Sequence, residues 1–125
     1  MLDSLVPGLG NTKTAVITVD MCTGHTGTPV FSTPSMIGLM EGTCLESAQA
    51  HLGPTEVTVG IHVCVSHVAG SFVGEEVTVR TELRTIERDR FLTFDVSAHV
   101  GERLLGEGTH QRAVIDPSRL RRPAG

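Results

Sequence analysis

The sequence predicts an α+β domain in which a five-stranded antiparallel sheet wraps one long helix. Three observations carry that expectation. Apolar residues from Met36 to Ala48 recur with helical spacing, the chain after Pro54 alternates with period two, and no second helical run interrupts the strands.

In chain order, residues 1–12, which include Gly8, Leu9, Gly10 and Asn11, read as a loose lead-in, and residues 117–125 as a loose tail. Ala15 to Val19 is rich in β-branched residues and predicts a first strand. Thr23 to Pro29, with two glycines and a proline, predicts a loop. Thr33-Pro34 opens a helix, with Thr33 as N-cap and Pro34 at the first helical position. Met36, Ile37, Leu39, Met40, Cys44, Leu45 and Ala48 then make it apolar around more than half its circumference, and Gly53-Pro54 stops it. Such a helix, of about five turns, is built to be wrapped rather than laid on a surface. Val57, Val59, Ile61, Val63 and Val65 alternate with polar or small residues. Further alternating runs cover Val77 to Thr85, Leu92 to Val100, and Leu105 to Ile115. With short turns between them, these four strands read as a consecutive meander. Strand, loop, long apolar helix and four strands together specify a hotdog fold; a ferredoxin-like fold needs a second helix.

The 125 residues fit a single domain spanning 1–125. A net charge of −4 gives no global footprint for nucleic acid, and four Phe with no Trp or Tyr leave no platform for stacking bases. Arg119, Arg121 and Arg122 form either a local cationic patch or a solvated tail. Cys22, Cys44 and Cys64 are odd in number and irregularly spaced, and no leader or membrane-length apolar run precedes them. The expectation is a reduced, cytoplasmic protein that neither crosses nor binds a membrane.

Few residues carry chemistry. Glu41 sits within the apolar helix, where an ionised carboxylate must be paired or must shift its pKa; alternatively it faces solvent beside Thr43 or Ser47. Thr33 reads first as a cap, yet a helix start also favours developing negative charge. His67 ends a strand, where histidines are commonly structural or exposed. His62 and Cys64 face one side of that strand and His67 the other, so the three do not make a metal site, and no metal is expected. Gly60, in a β-branched strand, marks either a bulge or a close approach. Nucleophile elbow, phosphate-loop and dinucleotide motifs are absent from the sequence.

Three segments, Val30–Glu41, Val59–His67 and Gly106–Ile115, resemble in order and spacing the bacterial hotdog thioesterases related to fluoroacetyl-CoA thioesterase, with similarity over roughly residues 14–116. The resemblance implies a catalytic set of Thr33, Glu41 and His67, with Gly60 and Arg112 in the substrate-binding surroundings. It implies hydrolysis of an acyl-CoA with a small or medium acyl group, without a resident cofactor, since coenzyme A enters as part of the substrate. It also implies a homodimer or higher oligomer with sites at the interface. In this reading Glu41 attacks the thioester or serves as base for water, His67 activates the water, Thr33 holds and polarises Glu41 or its partner, and N–H groups near Gly60 or the helix start bind the oxyanion. Arg84, Arg88 and Arg90 are equivalent candidates for the CoA phosphates. The fluoroacetyl branch carries a longer, aromatic-rich lid, whereas Thr23 to Phe31 is short with one phenylalanine, which implies a broader or different acyl group. The rivals are a non-catalytic acyl-CoA-binding or regulatory module, which would have lost the polar set, and a hotdog hydratase or dehydratase, which uses an Asp-containing motif with a histidine a few residues on in the loop and helix region, a partner Glu41 lacks.

Overall fold

The computed structural model describes residues 1–124. Strands β1 (Gly10–Val16), β2 (Val57–His67), β3 (Glu76–Glu87), β4 (Phe91–Val100) and β5 (Arg103–Ile115) form one antiparallel sheet in the order β1-β3-β4-β5-β2. One helix, α1 (Thr33–Gln49), packs against one face of it and touches all five strands. This is the hotdog arrangement that the element order predicts.

The core follows from the two periodicities. Met36, Met40, Cys44 and Ala48 recur every fourth residue on α1 and are at most 1% exposed. They join Val77, Val79 and Leu83 of β3 with Leu92, Phe94, Val96 and Ala98 of β4 in one buried cluster. Alternate residues of the same strands, among them Arg80, Glu82, Arg84 and Asp95, stay exposed. Arg84 there bonds both Glu82 and Asp95 at 3.1 Å. Burial takes the Cys44 thiol out of reactive range, pushing its pKa up to about 12.

Three local expectations change. The four later strands are not a consecutive meander: β2 pairs with β5, and β1 takes the place beside β3. The connection after His67 is a loop tied elsewhere, with Phe31 N–H on the Ser71 carbonyl, Gly74 N–H on the Ile17 carbonyl, and a bridge between Val30 and Phe72. Anchored so, it cannot make the tight hairpin that would pair β2 with β3. The lead-in is also ordered. β1 begins at Gly10, Leu5 is 4% exposed, and the Gly8 N–H donates to Leu83 O at 2.7 Å. Pairing along β3 outweighs the weak strand propensity of Gly10, Asn11 and Lys13. Finally, Ser32 is the N-cap of α1, and the helix stops at Gln49, ahead of Gly53-Pro54. At the tail, Pro117–Arg119 forms a short 3-10 turn capped by Asp116. Among the described residues, no helix is long and apolar enough to cross a membrane.

Candidate active site

The site begins with a defect in β2. The pairing with β5 shifts between Gly60 and His62, leaving Ile61 as a bulge. Before it, Thr58 and Gly60 share the inner face with Val114 and Arg112; after it, Val63, Val65 and His67 share that face with His110, Gly108 and Gly106. The extra residue therefore inverts the alternation read from the sequence. Without it His67 would turn to the outer face, where His62 and Cys64 lie. Among the described residues, no group of three potential metal ligands forms.

His67 turns toward the start of α1. Because Ser32 Oγ accepts from the Ser35 N–H at 3.2 Å, the helix is capped without Thr33, whose hydroxyl is released from that duty. Thr33 Oγ1 instead shares a hydrogen bond of 2.8 Å with His67 Nδ1. Phe31, 1% exposed, meets the imidazole edge-on at 6.3 Å between ring centres and fixes its plane. His67 Nε2 is buried and has no hydrogen-bond partner among the described residues. The pair opens on a cleft of about 330 Å³ lined also by Thr23, Val30, Val68 and Ala69. The one phenylalanine of the short Thr23–Phe31 segment is thus under the site rather than over it.

Glu41 lies two turns further along α1, beside a second group. Thr43 and Ser47 are buried, so Glu41, with its side chain 41% exposed, does not share a polar stripe with them. Its Oε2 approaches Gly60 so closely that an added Cβ would stand 3.0 Å from it, 3.2 Å from His110 Cε1 and 3.3 Å from Arg112 Nη1. Gly60 is therefore both readings at once, the edge of a bulge and the floor of a notch. Arg112, 6% exposed, is held by Thr58 Oγ1 at 2.8 Å, Thr58 O at 3.1 Å and His110 Nε2 at 3.0 Å. His110 Nδ1 sits 2.8 Å from the His62 carbonyl, which can only accept. Nδ1 therefore carries the proton and Nε2 accepts from Arg112, a neutral imidazole. Burial, chiefly, lowers the His110 pKa, and the Arg112 charge adds to that. Its Nε2 stands 4.0 Å from Glu41 Oε2.

Of the residues expected from sequence, the chain thus joins Thr33 to His67, and sets Glu41 and Arg112 around the notch at Gly60. It does not join the two groups. Thr33 and Glu41 are about 12 Å apart along the helix axis. Gly60 and His67 are roughly 20 Å apart along β2. The imidazole beside Glu41 within the chain is His110, which sequence reasoning passed over. Its only signal was a histidine two residues before Arg112 in an alternating strand.

The family model described as fluoroacetyl-CoA-specific thioesterase matches residues 12–118. A fluoroacetyl-CoA thioesterase of Streptantibioticus cattleyicolor is 46% identical over 86 residues, which are 69% of this chain and 61% of that protein. The match therefore spans less than two thirds of that relative's length. A solved structure of fluoroacetyl-CoA thioesterase superposes with a TM-score of 0.87 at 36% identity, covering 94% of this chain and 93% of that one. A variant of that enzyme crystallised with fluoroacetate and CoA gives a TM-score of 0.86 at 35% identity, covering 92% and 98%. A Thermus thermophilus thioesterase-superfamily protein shares the fold, with a TM-score of 0.84 at 21% identity over 94% and 89% of the two chains.

Proposed function

Because the chain belongs to the fluoroacetyl-CoA-specific thioesterase family, we propose that it hydrolyses acyl-CoA thioesters of small or medium acyl groups to a carboxylate and free coenzyme A. The observation that carries this reading is the division of the polar set into two half-sites on the inner face of one edge strand. Thr33 and His67 stand at one end of β2, with Glu41, Gly60 and Arg112 at the other. Between them the open edge bears Ile61 and Val63, both 38% exposed or more. Antiparallel pairing of β2 with β2 of a second copy, about a two-fold axis near Val63 and Cys64, brings each Glu41 beside His67 of the partner subunit. A homodimer of this kind holds two complete sites.

In each site the carboxylate of Glu41 meets the thioester carbonyl carbon, either bonding to it directly or taking a proton from an attacking water. The carbonyl oxygen gathers negative charge, met by N–H groups of the bulged Gly60–His62 segment and by Arg112. The C–S bond then breaks and the thiolate leaves, with His67 of the partner subunit delivering a proton or activating the water that completes hydrolysis. Thr33 of the partner subunit orients that imidazole. The acyl group occupies the cleft beside Phe31, where the absence of an overlying aromatic favours substrates other than fluoroacetyl-CoA. Three free thiols suit a reducing, cytoplasmic setting.

The test is release of free thiol from a panel of acyl-CoA substrates by the wild type, Glu41→Ala and His67→Ala. Each variant alone is expected to lose roughly 10²-fold or more in kcat. Mixed and re-equilibrated, the two regain about a quarter of wild-type activity, because half the dimers are mixed and each mixed dimer has one intact site. No recovery in mixed dimers overturns the shared site. A folded wild-type dimer inert on the whole panel favours an acyl-CoA-binding module instead. Single-turnover reaction in oxygen-labelled water separates the two chemical routes, since only direct attack leaves label in Glu41.

A further inference from the structure

We infer that the phosphate groups of the CoA portion dock on Arg88, Arg90 and Arg119, in the cavity at the end of the sheet where β2 begins and β5 ends. The inference rests on the acyl-CoA reading above and names a part of the site that it leaves open. The cavity is about 530 Å³ and is bounded by these three arginines together with Thr55, Ile115 and Asp116, among others.

Elimination among the arginines favours this place. Arg84 is already bound to Glu82 and Asp95, Arg103 to Glu75, and Arg112 is buried on Thr58 and His110. Arg88, Arg90 and Arg119 make no ion pair among the described residues. The larger depression on the outer sheet face, about 820 Å³, contains Arg80 and Arg84 but also Glu82, Asp95 and Glu107, a poor field for a polyanion. In the end cavity three arginines face three carboxylates, Glu56, Asp89 and Asp116, and the N-terminal ammonium paired with Glu56 tips the balance to positive. Glu56 accepts from the N-terminal ammonium and the Gly53 N–H, and Asp116 from Ser118.

The local backbone agrees. Arg88 and Asp89 have φ of 56° and 51°, so the β3–β4 hairpin turns through two side-chain-bearing residues in the left-handed region, where Asn-Gly is the low-strain choice. Strain of this kind tends to persist where the side chain has a task. Arg90 is steadied over the Phe91 ring at 5.3 Å. Distance agrees as well. From Thr55 or Ile115 to the Gly60–Arg112 rung is three to five residues, on the order of 10–16 Å along the strands, a span suited to the extended pantetheine arm. Guanidinium forks then meet the diphosphate and the ribose phosphate as charge-assisted pairs.

The experiment compares one acyl group carried on CoA and on pantetheine, which lacks the phosphates. In the triple variant Arg88→Ala, Arg90→Ala, Arg119→Ala, kcat/KM for acyl-CoA is expected to fall roughly 10–100-fold, through KM, while acyl-pantetheine turnover stays within about twofold. Arg84→Ala, on the outer face, leaves both substrates unchanged. Calorimetry with adenosine 3′,5′-bisphosphate, binding to the wild type but not to the triple variant, reads the site without chemistry. Equal losses on both substrates, no loss on either, or undiminished nucleotide binding overturns the proposal. If the triple variant misfolds, Arg119→Glu alone must show the same selective loss. Wild-type protein that binds the nucleotide yet turns over neither substrate sinks the hydrolase reading and leaves this site standing.

Discussion

Gly60→Ala tests the notch with the smallest possible change. Gly60 is not among the glycines with positive φ, so alanine meets no backbone strain. Its new methyl would stand 3.0 Å from Glu41 Oε2, 3.2 Å from His110 Cε1 and 3.3 Å from Arg112 Nη1, all closer than ordinary contact. Arg112 and His110 are buried and locked by hydrogen bonds to Thr58, His62 and each other, so they resist displacement. Glu41 is the end of a flexible, half-exposed side chain and gives way first. The stability cost is therefore expected near the low end of overpacking, about 1 kcal/mol. The carboxylate, however, is pushed off its position by several tenths of an ångström, and misplacement on the scale of 1 Å costs about 10²-fold. The expected outcome is a fall in kcat of roughly tenfold or more with Tm lowered by only a few degrees. Thiol release and a thermal melt on the same sample measure both. A kcat within twofold of wild type at unchanged Tm would refute the assignment of the reacting carboxylate to this notch. A collapse in Tm would refute the claim that Glu41 is the yielding neighbour.

Three more outcomes follow from the same geometry. Ser32→Ala should cost about 1 kcal/mol as loss of the helix cap, whereas Thr33→Ala should barely move Tm yet slow thiol release, with activity recovered in Thr33→Ser. His110 has a folded pKa below its ordinary 6.5, so the unfolded chain binds the extra proton first and stability falls as pH drops from 6.5 toward the folded value. His110→Gln should flatten that slope in a series of melts between about pH 6.5 and 5, a window lying above the titration of the lowered carboxylates Glu56, Glu75 and Asp116. Gly108→Ala should be the severe glycine change, by about 3 kcal/mol or more, because its methyl would fall 2.0 Å from Cys64 O and 2.7 Å from Val65 Cα, and backbone cannot step aside as Glu41 can.

How much of this was legible depended on range. The helix and the four later strands write their periodicity into consecutive residues, and β3 and β4 bury the residues the alternation selects, Val77, Val79 and Leu83, then Leu92, Phe94, Val96 and Ala98. β2 shows the limit. Its alternation from Val57 to Val65 is unbroken in sequence, yet the bulge at Ile61 sends Val57 and Val59 to one face and Val63 and Val65 to the other. A bulge is set by pairing with β5, a partner some fifty residues away, and leaves no local mark beyond the neighbouring glycine. The same holds for β1, whose first residues become a strand only because β3 offers an edge. Thr33 and Ser32 are both good caps, and local sequence cannot choose between adjacent candidates; the choice decides whether Thr33 is free to bond His67. His110 was hidden because its significance lies in the His62 carbonyl and the Arg112 guanidinium, each reached through tertiary contact.

The strongest link between fold and chemistry is what β2 lacks. An edge strand that stays bare in solution is normally guarded by lysine, proline or an inward charge. β2 has no charged Asp, Glu, Lys or Arg from Val57 to His67, and it exposes Ile61 at 49%. In the dimer proposed above, the inward His67, the glycine that admits Glu41 and the undefended apolar stretch between them would all serve one arrangement, a second β2 lying alongside. Placing a guard there separates that arrangement from accident. Ile61 has no partner on β5, so Ile61→Lys disturbs no internal pair, and its cost to the protomer should stay within about 0.5 kcal/mol. Within a β2–β2 seam, though, each dimer must enclose two ammonium groups on strands that offer no carboxylate to pair them. Sedimentation should then find a folded monomer, and thiol release should fall with the dimer fraction because neither half-site reacts alone. A monomer with full activity would mean that Glu41 and His67 never needed one another.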